Sequence, residues 1–528
     1  MTYDYIVIGS GFGGSVAALR LSEKGYRVLI VESGKRYRPQ NFPKTNWNIR
    51  KYLWAPALGC YGIQRLHLLN DVLILSGSGL GGGSLVYANT LLTPPRIFYD
   101  DPVWQTLEKD WENELSPFYE VAKKMLGVVR NPHLFKADHV LHEYSRELNR
   151  EKQFTPVDVG VFFGEPGRTV PDPYFNGRGP ERTGCTMTGH CMVGCRDGGK
   201  NSLDKNYLHL AEGLGCDILP EHKAIDVKHH DSGEYTVTVK KLTGFSGKRT
   251  KKFQSRGVVV AAGVIGTLEL LMNSKENGGL PDISDKLGHM VRTNSEVLLG
   301  LTVKDRDEDL CHGVSITSGL FVNDNTHIEL VRYPKGSDLM GLLGIPLTDG
   351  GGNIPRVIRL ILNVFRHPVD FLRILLPFGW AKRSIILLVM QTLDNHLTLH
   401  RKRRWWTLFR KSMVSENRGR KIPAYIREAN EAARFMSDRM DGIPQNALSE
   451  VLLNIPMTAH ILGGCIMGVD EKSGVIDKYH RVFNYDNFYV VDGSAMPANL
   501  GVNPSLTITA MSERAMSYIP LKSDENRQ

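Results

Sequence analysis

The stretch 3–34, YDYIVIGSGFGGSVAALRLSEKGYRVLIVESG, limits the fold of this chain more than any other part of the sequence. It predicts a strand, a glycine turn, a helix with apolar periodicity and a second strand ending at Glu32. Gly9, Gly11 and Gly14 match the G-x-G-x-x-G spacing, at a strand-to-helix turn where the backbone can approach a pyrophosphate. A carboxylate at Glu32 can accept hydrogen bonds from ribose hydroxyls. The pattern therefore predicts dinucleotide binding, and the alternative is a purely structural glycine turn.

Two later segments have the composition expected of the same nucleotide fold. RGVVVAAGVIGTLELL at 256–271 is an apolar strand leading into a helix, and NFYVVDGSAMPANLGVNPSLTITAMSERAM at 487–516 is a strand, an Asp-Gly turn and a helix led by proline. The cofactor domain is therefore expected to be discontinuous in sequence.

The chain has 528 residues, of which 41% are apolar and 23% charged, and this is more than one hydrophobic core usually supports. We expect an α/β fold with a Rossmann-like FAD or nicotinamide domain and a second, α+β domain with a mainly antiparallel sheet and covering helices. The expected cofactor domain is 1–100, 191–300 and 455–528, and the expected substrate domain is 101–190 and 301–454.

Two stretches predict further strands. EYTVTVKKL at 234–242 alternates in polarity and fits either the substrate domain or a side sheet of the nucleotide domain. SIILLVMQTLDNHLTLHRK at 384–402 predicts two strands joined through Asp394 and Asn395, which we expect in the substrate-domain sheet.

The formal net charge of +9 is modest for this length and is concentrated in places such as RKRRWW at 401–406. Basic residues beside tryptophans suit nucleic acid backbones or anionic lipid headgroups, and a solvated hairpin edge has the same composition. We expect no nucleic-acid partner. Seven cysteines, an odd number, and an N-terminus that opens directly into a strand favour a reducing, cytoplasmic compartment without a disulfide framework.

With GSGLGGGSLVYAN at 77–89 and DGSAMPANLGVNPSLTITA at 492–510, the chain resembles the glucose-methanol-choline (GMC) oxidoreductases over nearly its full length. Within that family it is most similar to the bacterial cholesterol oxidase group. The resemblance implies that the dinucleotide is FAD, which the glycine spacing alone does not identify. The segment 77–89 contains no histidine of the kind that some relatives link to the flavin, so noncovalent FAD is expected.

The resemblance also implies which residues hold the FAD. Glycine-rich backbone can approach the pyrophosphate and the isoalloxazine ring closely because no side chain intervenes. The implied cofactor-binding residues are Gly9, Gly11, Gly14, Glu32, Gly81, Gly82, Gly83, Ser84, Asn89, Ala262, Gly263, Asp492, Gly493 and Asn503.

His460 stands alone among apolar and glycine residues in IPMTAHILGGCIMG at 455–468, where a histidine is usually a plain core residue. By resemblance, AHILGGC and GVNP place His460 and Asn503 at the active-site histidine and asparagine positions of the family. Alcohol oxidation needs the hydroxyl proton removed or stabilised while the carbinol hydrogen leaves as hydride, and an imidazole suits that task. Asn503 can donate a hydrogen bond to the substrate oxygen or contact the flavin edge.

A third catalytic candidate is Glu329, on a predicted strand in THIELVRYPKG at 326–336. The cholesterol oxidase group has a glutamate facing the flavin on a comparable strand. A carboxylate buried there can take up a hydroxyl or carbon-bound proton, with its pKa raised by desolvation. The alternative is a strand carboxylate paired with Arg332.

The segment 354–383, IPRVIRLILNVFRHPVDFLRILLPFGWAKR, predicts an amphipathic helix broken at its two prolines. Its charges argue against spanning a bilayer. Its composition, with Phe378 and Trp380 nearby, fits a peripheral membrane contact through which a lipid-soluble substrate enters; a lid helix or a dimer contact is the alternative. The polar stripe on the predicted helix consists of Arg356, Arg359, Asn363 and Arg366.

Cys185, Cys191 and Cys195 approach a ferredoxin-type spacing, but Thr188 stands where a further thiolate would be needed. We therefore expect a tightly turned structural segment and no metal.

These observations predict FAD-dependent oxidation of a secondary alcohol on a hydrophobic substrate, and the expected substrate is a sterol. The rivals are oxidation of long-chain or other apolar alcohols, a flavin-dependent non-redox or light-driven lyase acting on a lipid acid, and a peripheral membrane protein with a structural flavin. Either oxygen or a quinone or electron-transfer protein fits as the electron acceptor.

Overall fold

The computed structural model describes residues 2–244, 249–403 and 411–523, so the basic cluster at 401–406 lies partly outside the described residues. The helices are α1 Phe12–Glu23, α2 Ile49–Tyr52, α3 Arg96–Tyr99, α4 Pro102–Gln105, α5 Trp111–Leu126, α6 Lys136–Glu147, α7 Tyr207–Gly213, α8 Val264–Glu276, α9 Arg356–Arg366, α10 Pro368–Leu375, α11 Trp380–Arg383, α12 Arg427–Arg439, α13 Leu448–Leu452 and α14 Ser505–Ser517.

The strands follow the same chain order. They are β1 Thr2–Ile8, β2 Val28–Val31, β3 Trp54–Ala55, β4 Cys60–Tyr61, β5 Gln64–Leu68, β6 Leu73–Gly77, β7 Val128–Arg130, β8 Phe154–Pro156, β9 Asp158–Gly160, β10 Thr169–Val170, β11 Arg182–Thr183, β12 Asp217–Leu219, β13 His222–His229, β14 Tyr235–Lys241, β15 Thr250–Val260, β16 Val297–Val303, β17 Ile316–Asn323, β18 Thr326–Val331, β19 Gly344–Pro346, β20 Ser384–Gln391, β21 His396–Arg403, β22 Lys411–Arg418, β23 Gly442–Ala447, β24 Met457–Thr458 and β25 Phe488–Val490.

The first large sheet has the strand order β12-β2-β1-β15-β14-β13, with β25 beside the carboxyl half of β15. The central pairs are parallel, and Ile6 lies between Leu29 and Val258. Helices cover both faces of such a sheet, so its strands are continuous apolar runs rather than alternating ones. The predicted Rossmann-like fold is therefore present, and the stretch 234–242 is its side strand β14.

The parallel strands bring four distant parts of the chain to one edge. β1, β2, β15 and β25 all end there, and the residues that follow them are Gly9, Glu32, Ala261 and Val491. Ligands of open α/β sheets bind at this carboxyl edge. The topology therefore explains how predicted cofactor-binding residues separated by hundreds of positions converge.

The second large sheet is antiparallel, in the order β19-β23-β16-β20-β18-β17-β8. Helices α6 and α12 pack on one face, where an apolar core forms. The opposite face presents Leu298, Ile316, Val331, Ile386 and Leu388 to a cavity. The mainly antiparallel sheet with covering helices is as predicted.

The stretch 384–402 forms the two predicted strands, but they do not share a sheet. β20 lies inside the second large sheet, whereas β21 pairs only with β22 among the described strands. The prediction that both belong to the substrate-domain sheet is wrong for β21, because Asp394 and Asn395 lie in a crossing between sheets. Arg292 and Ser295 hold that crossing through hydrogen bonds to Asp394 and Asn395.

Helices α9 and α10 carry the predicted amphipathic pattern with the polar side facing the protein. Arg356 donates to the carbonyls of Thr348 and Ala424 at 3.0 and 2.7 Å, and Asn363 donates to Leu347 O at 3.0 Å. The opposite, apolar side faces solvent. We call the following exposed residues the apolar surface: Ile354, Val357, Ile358, Ile361, Leu362, Phe365, Val369, Leu372, Leu375, Leu376 and Phe378.

One expectation for this segment is corrected by the packing. Trp380 is buried, with its ring against Gly341, and does not join Phe378 at the surface. Arg366 is exposed, so the inward polar stripe ends at Asn363. Within the described ranges no helix is both long enough and apolar enough to cross a bilayer.

The segment around Cys185, Cys191 and Cys195 is tightly turned, as expected. The ammonium of Lys200 is buried and donates to the backbone carbonyls of Leu85, Tyr87 and Cys191. These bonds tie the cysteine segment to the glycine-rich segment at 77–89. Among the described residues no cluster of histidine, cysteine and carboxylate side chains has a metal-binding arrangement.

Candidate active site

A cavity of about 410 Å³ lies between the carboxyl edge of the first sheet and the inner face of the second. One end is lined by the glycine turns and polar residues of the first sheet. The other end is lined by apolar side chains of the second sheet and by Tyr333 and Met340. His460 and Asn503 belong to the lining as well. One cavity therefore joins a nucleotide-type end to an apolar end.

The glycine turn after β1, the predicted pyrophosphate site, is closely packed on one side and open on the other. A Cβ on Gly9 would lie 2.1 Å from Ala261 O, and one on Gly14 would lie 2.0 Å from Gly9 O, so both positions require glycine for close packing. A Cβ on Gly11 would meet no protein atom within 4 Å, because this position faces the open cavity. Gly11 also caps α1 without a side-chain hydrogen bond, which leaves N–H groups of the first turn available for an anion.

Glu32 lies at the same end of the cavity and is buried. It accepts hydrogen bonds from the backbone N–H groups of Ser10 and Gly34 at 3.1 and 2.7 Å. Beside it, Arg65 on β5 donates to Ser33 Oγ at 2.7 Å. Arg65 was not predicted, since an arginine on a short strand carries no sequence signal for a cofactor role.

The glycine-rich segment at 77–89 passes over the glycine turn that follows β1. A Cβ on Gly82 would lie 2.8 Å from Gly11 Cα, so the two backbones are in direct contact. Gly82 and Gly83 line the cavity. Ser84 donates to Gly81 O at 2.7 Å and fixes the turn from behind.

Asn89 does not line the large cavity. It is buried with φ of 74°, and it borders a separate, small cavity beside Cys185, Cys191, Cys195 and Lys200. Its role behind the flavin stays a prediction.

Asp492 joins two of the segments that reach the cavity. Its carboxylate accepts hydrogen bonds from Gly263 N at 2.8 Å and from Thr267 Oγ1 at 2.5 Å. It also accepts from Ser494 N at 2.8 Å at the start of the turn that holds Gly493. This places the predicted residues Ala262, Gly263, Asp492 and Gly493 on one wall of the cavity.

His460 lies where the two ends of the cavity meet, and a residue that was not predicted fixes it. The Nδ1 of His460 forms a hydrogen bond with Oε1 of Glu296, which is fully buried. Burial disfavours the charged imidazole, but the Glu296 carboxylate outweighs this effect and raises the pKa of His460 above its ordinary value. Because Nδ1 is engaged, Nε2 is the ring nitrogen left for a ligand in the cavity.

Asn503 connects the cavity to Glu329. Its Nδ2 donates to Glu329 Oε2 at 3.1 Å. Glu329 lies on β18, as predicted, and it is fully buried behind Asn503 rather than at the cavity surface. Burial raises the pKa of Glu329 to about 7, although the bond from Asn503 and the nearby His460 act in the opposite direction.

The alternative in which Glu329 pairs with Arg332 is wrong. Arg332 lies on the opposite face of the strand, where its guanidinium lies 3.4 Å from Asp138 and donates to Thr317 Oγ1 at 2.7 Å. Successive residues of a strand point to opposite faces, so side chains at 329 and 332 cannot share one. The carboxyl of Glu329 therefore pairs with Asn503, on the face of β18 that is turned toward the cavity.

The structure brings most of the predicted site residues to one cavity. Those that line it are Gly9, Gly11, Glu32, Gly82, Gly83, Ala262, Gly263, His460, Asp492, Gly493 and Asn503. Gly14, Gly81, Ser84, Asn89 and Glu329 lie behind that lining.

Family models match three parts of this chain. A family model described as GMC oxidoreductase matches residues 179–287, a second one of the same description matches 391–512, and a model of an NAD(P)-binding Rossmann-like domain matches 7–38. A cholesterol oxidase of Mycobacterium tuberculosis is 46% identical, with 100% of this chain and 92% of the relative covered. One of Acinetobacter baumannii is 44% identical, with coverage of 98% and 95%.

Among solved structures, pyridoxine 4-oxidase from Mesorbium loti superimposes with a TM-score of 0.62 at 16% identity, covering 98% of this chain and 99% of that one. At this identity the likeness concerns the fold alone. Fold and site together define an FAD-dependent oxidoreductase that acts on CH–OH groups. The chain belongs to the GMC oxidoreductase family, so the resemblance inferred from its motifs is confirmed.

Proposed function

We propose that this protein oxidises the 3β-hydroxyl of a sterol to a ketone. The observation that carries the proposal is the cavity, which continues from the glycine turns past His460 and Asn503 into an apolar space lined by Leu298, Val331 and neighbouring residues. An apolar polycycle fits such a lining and would leave its hydroxyl at the polar junction. Identity of 44–46% with two cholesterol oxidases over nearly the whole chain supports the same substrate class.

The roles proposed for the side chains follow from their positions. FAD, held noncovalently by the cofactor-binding residues named above, supplies the hydride acceptor. The Nε2 of His460 takes the hydroxyl proton, and Asn503 orients the substrate oxygen. In this proposal the segments 1–100, 191–300 and 455–528 form the cofactor domain, and 101–190 and 301–454 form the substrate domain.

Glu329 supports a second step, the shift of a sterol double bond into conjugation with the new ketone. A proton must be removed from carbon for this shift, and a buried carboxyl with a pKa of about 7 is suited to exchanging one near neutral pH. We propose Glu329 for this role, acting beside Asn503.

We also propose that the apolar surface docks on a lipid bilayer. Soluble proteins rarely expose a contiguous apolar patch of this kind without a partner. Its helix α10 contacts the turn at 338–343, and Met340 of that turn lines the cavity. The flanking cations Arg366 and Arg373 suit anionic headgroups. A sterol that dissolves poorly in water could then reach the cavity directly from the membrane.

Vesicle sedimentation tests the docking. Phe365 and Phe378 are 79% and 78% exposed, so replacing both with serine removes much of the anchoring area. We expect binding of the FAD-loaded protein to phosphatidylglycerol-containing vesicles to weaken by at least ~10-fold. The matched control replaces Leu214 and Val469, which are 54% and 70% exposed outside this surface, with serine. Equal vesicle binding by both double variants would overturn the docking proposal.

The function itself is tested by anaerobic reduction of the bound flavin with a panel of sterols and long-chain alcohols. We propose oxygen as the acceptor that reoxidises it, and the same sample mixed with oxygen or a quinone in turn distinguishes the two. Reduction by long-chain alcohols but by no sterol would favour the aliphatic rival. Turnover that needs illumination would favour the lyase, and vesicle binding without any turnover would favour a structural flavin.

A further inference from the structure

We propose that Glu296 is a positioning residue that fixes the tautomer and orientation of His460. The proposal rests on the proposed function for its kinetic consequences, but the contact itself stands independently of the substrate. Glu296 immediately precedes β16, on the second large sheet, whereas His460 lies on the segment that follows β24. Nothing in the sequence around Glu296 marks it as part of a site.

Both oxygens of Glu296 are committed to the histidine segment. Oε1 pairs with the Nδ1 of His460, and Oε2 accepts the backbone N–H of Ala459 at 2.8 Å. The side chain of Glu296 is 1% exposed and that of His460 is 13% exposed. A buried carboxylate can only accept hydrogen bonds, so Nδ1 carries the hydrogen and Nε2 faces the cavity.

The turn before Glu296 is held in a conformation that non-glycine residues seldom adopt. Asn294 and Ser295 have φ of 58° and 48°. The side chain of Asn294 accepts from Gly501 N at 2.7 Å and donates to Val502 O at 3.0 Å. A backbone conformation of this kind persists only where surrounding contacts hold it in place. Such conformations are found mostly at functional positions. Here the turn fastens Glu296 to the segment that carries Asn503, next in sequence to Val502.

These contacts connect the two catalytic candidates, His460 and Asn503, through the turn at 294–296. Asn294 fixes the backbone beside Asn503, and Glu296, two residues later, fixes the ring of His460. As the hydroxyl proton moves to Nε2, the imidazole becomes a cation, and the adjacent Glu296 carboxylate stabilises that charge. A histidine held in the wrong tautomer would present a hydrogen to the hydroxyl instead of a lone pair.

The sign of the pH effect follows from this pairing. His460 accepts a proton only when its imidazole is neutral, so kcat/KM falls as the pH drops through the pKa of His460. Burial lowers that pKa, but the Glu296 charge outweighs this effect and raises it, and the nearby Glu329 carboxyl acts in the same direction as Glu296. Removing the charge with Glu296→Gln, which retains a hydrogen-bond acceptor, therefore shifts the acid limb of kcat/KM to lower pH.

The experiment compares the FAD-loaded wild type with Glu296→Gln, Glu296→Asp and the control Glu450→Gln. We expect Glu296→Gln to move the acid limb down by about one pH unit or more and to lower kcat more than it changes KM. Glu296→Asp should recover part of the wild-type profile. Glu450 is also fully buried, and burial raises its pKa to about 8, so its amide variant removes little charge at neutral pH and should leave the limb in place.

A second readout does not depend on turnover. Imidazole ¹⁵N NMR, with the His460 signals assigned by their loss in His460→Ala, reports the tautomer and the pKa directly. We expect a single Nδ1–H tautomer in the wild type and a lower pKa in Glu296→Gln. An unchanged tautomer and pKa in that variant would overturn the inference. Absence of sterol turnover in the wild type would refute the proposed function while leaving this measurement decisive for Glu296.

Discussion

The carboxamide of Asn503 donates to the carboxyl of Glu329 across 3.1 Å, and this bond joins the segment just before α14 to strand β18 of the antiparallel sheet. The two residues are 174 positions apart. Asn503 lines the cavity and Glu329 lies directly behind it. A substrate oxygen that bonds Asn503 will therefore influence Glu329 as well.

Glu329→Gln tests the isomerisation step. Burial raises the pKa of Glu329 to about 7, so the carboxylate form needed for removing a carbon-bound proton is lost as the pH falls through about 7. We expect the variant to accumulate the unconjugated ketone at every pH, whereas the wild type forms the conjugated ketone increasingly above neutral pH. Chromatography of the products with ultraviolet detection separates the two. Conjugated product from the variant with the wild-type pH dependence would rule out Glu329 as the base.

His460→Ala should lower kcat by about 10²–10⁴-fold without loss of FAD, because the variant lacks the proton acceptor at the junction of the cavity. Rapid-mixing kinetics with an excess of sterol measure the rate. His312→Ala is the control, since the side chain of His312 is 67% exposed and does not belong to the cavity lining. A rate for His460→Ala within a few-fold of the control would remove His460 from the mechanism.

Alanine substitutions at Gly14 and at Gly11, near the glycine turn after β1, should have different effects on the protein. The added Cβ in Gly14→Ala would lie 2.0 Å from Gly9 O, so we expect a loss of folding stability of at least ~1–3 kcal/mol, seen as a lower Tm of the FAD-free protein. The added Cβ in Gly11→Ala meets no protein atom within 4 Å, so the Tm of FAD-free protein should not change.

The Gly11→Ala methyl instead occupies the space in which the pyrophosphate must lie. We expect its Kd for FAD to rise by at least ~10-fold, measured by fluorescence titration. Tight FAD binding by Gly11→Ala would mean that the cofactor does not pass over this turn.

Glu450, on α13 against α9, provides a test of how burial raises the pKa of a carboxyl. Its ordinary pKa of 4.5 is raised to about 8 by burial, so the unfolded chain releases a proton that the folded chain keeps between these two values. Stability therefore falls as the pH rises through this window. We expect Glu450→Gln to flatten that decline, so that its Tm relative to wild type is higher above pH 8 than in acid. Parallel Tm curves for the two proteins would contradict the raised pKa.

Much of the fold could be predicted because its signals are local. The stretch 3–34 carries the period of a strand, the glycine spacing and the period of a helix in one run, and these determine β1, α1 and β2 directly. The GVNP and AHILGGC motifs identified Asn503 and His460 through their resemblance to the family. Both residues line the cavity of the structure.

What could not be predicted depends on contacts between distant residues. Glu296 meets His460 across 164 positions, and the sequence RTNSEVLLG around it has no feature that distinguishes it from an ordinary strand start. The hydrophobic pattern of 354–383 identified two faces but not which of them meets water. The usual outward position of polar residues is reversed there because Arg356 and Asn363 bond backbone carbonyls of their own domain.

In the proposed reaction His460 and Asn503 act at the junction between bound FAD and the apolar end of the cavity. Anaerobic mixing of the FAD-loaded protein with a 3β-hydroxysterol, followed through the visible absorbance of the flavin, tests this most directly. We expect full bleaching by the 3β-sterol, little by its 3α-epimer, and bleaching slowed by at least ~100-fold in His460→Ala. A flavin that stays oxidised with every sterol, or one that the His460→Ala variant bleaches at the wild-type rate, would contradict it.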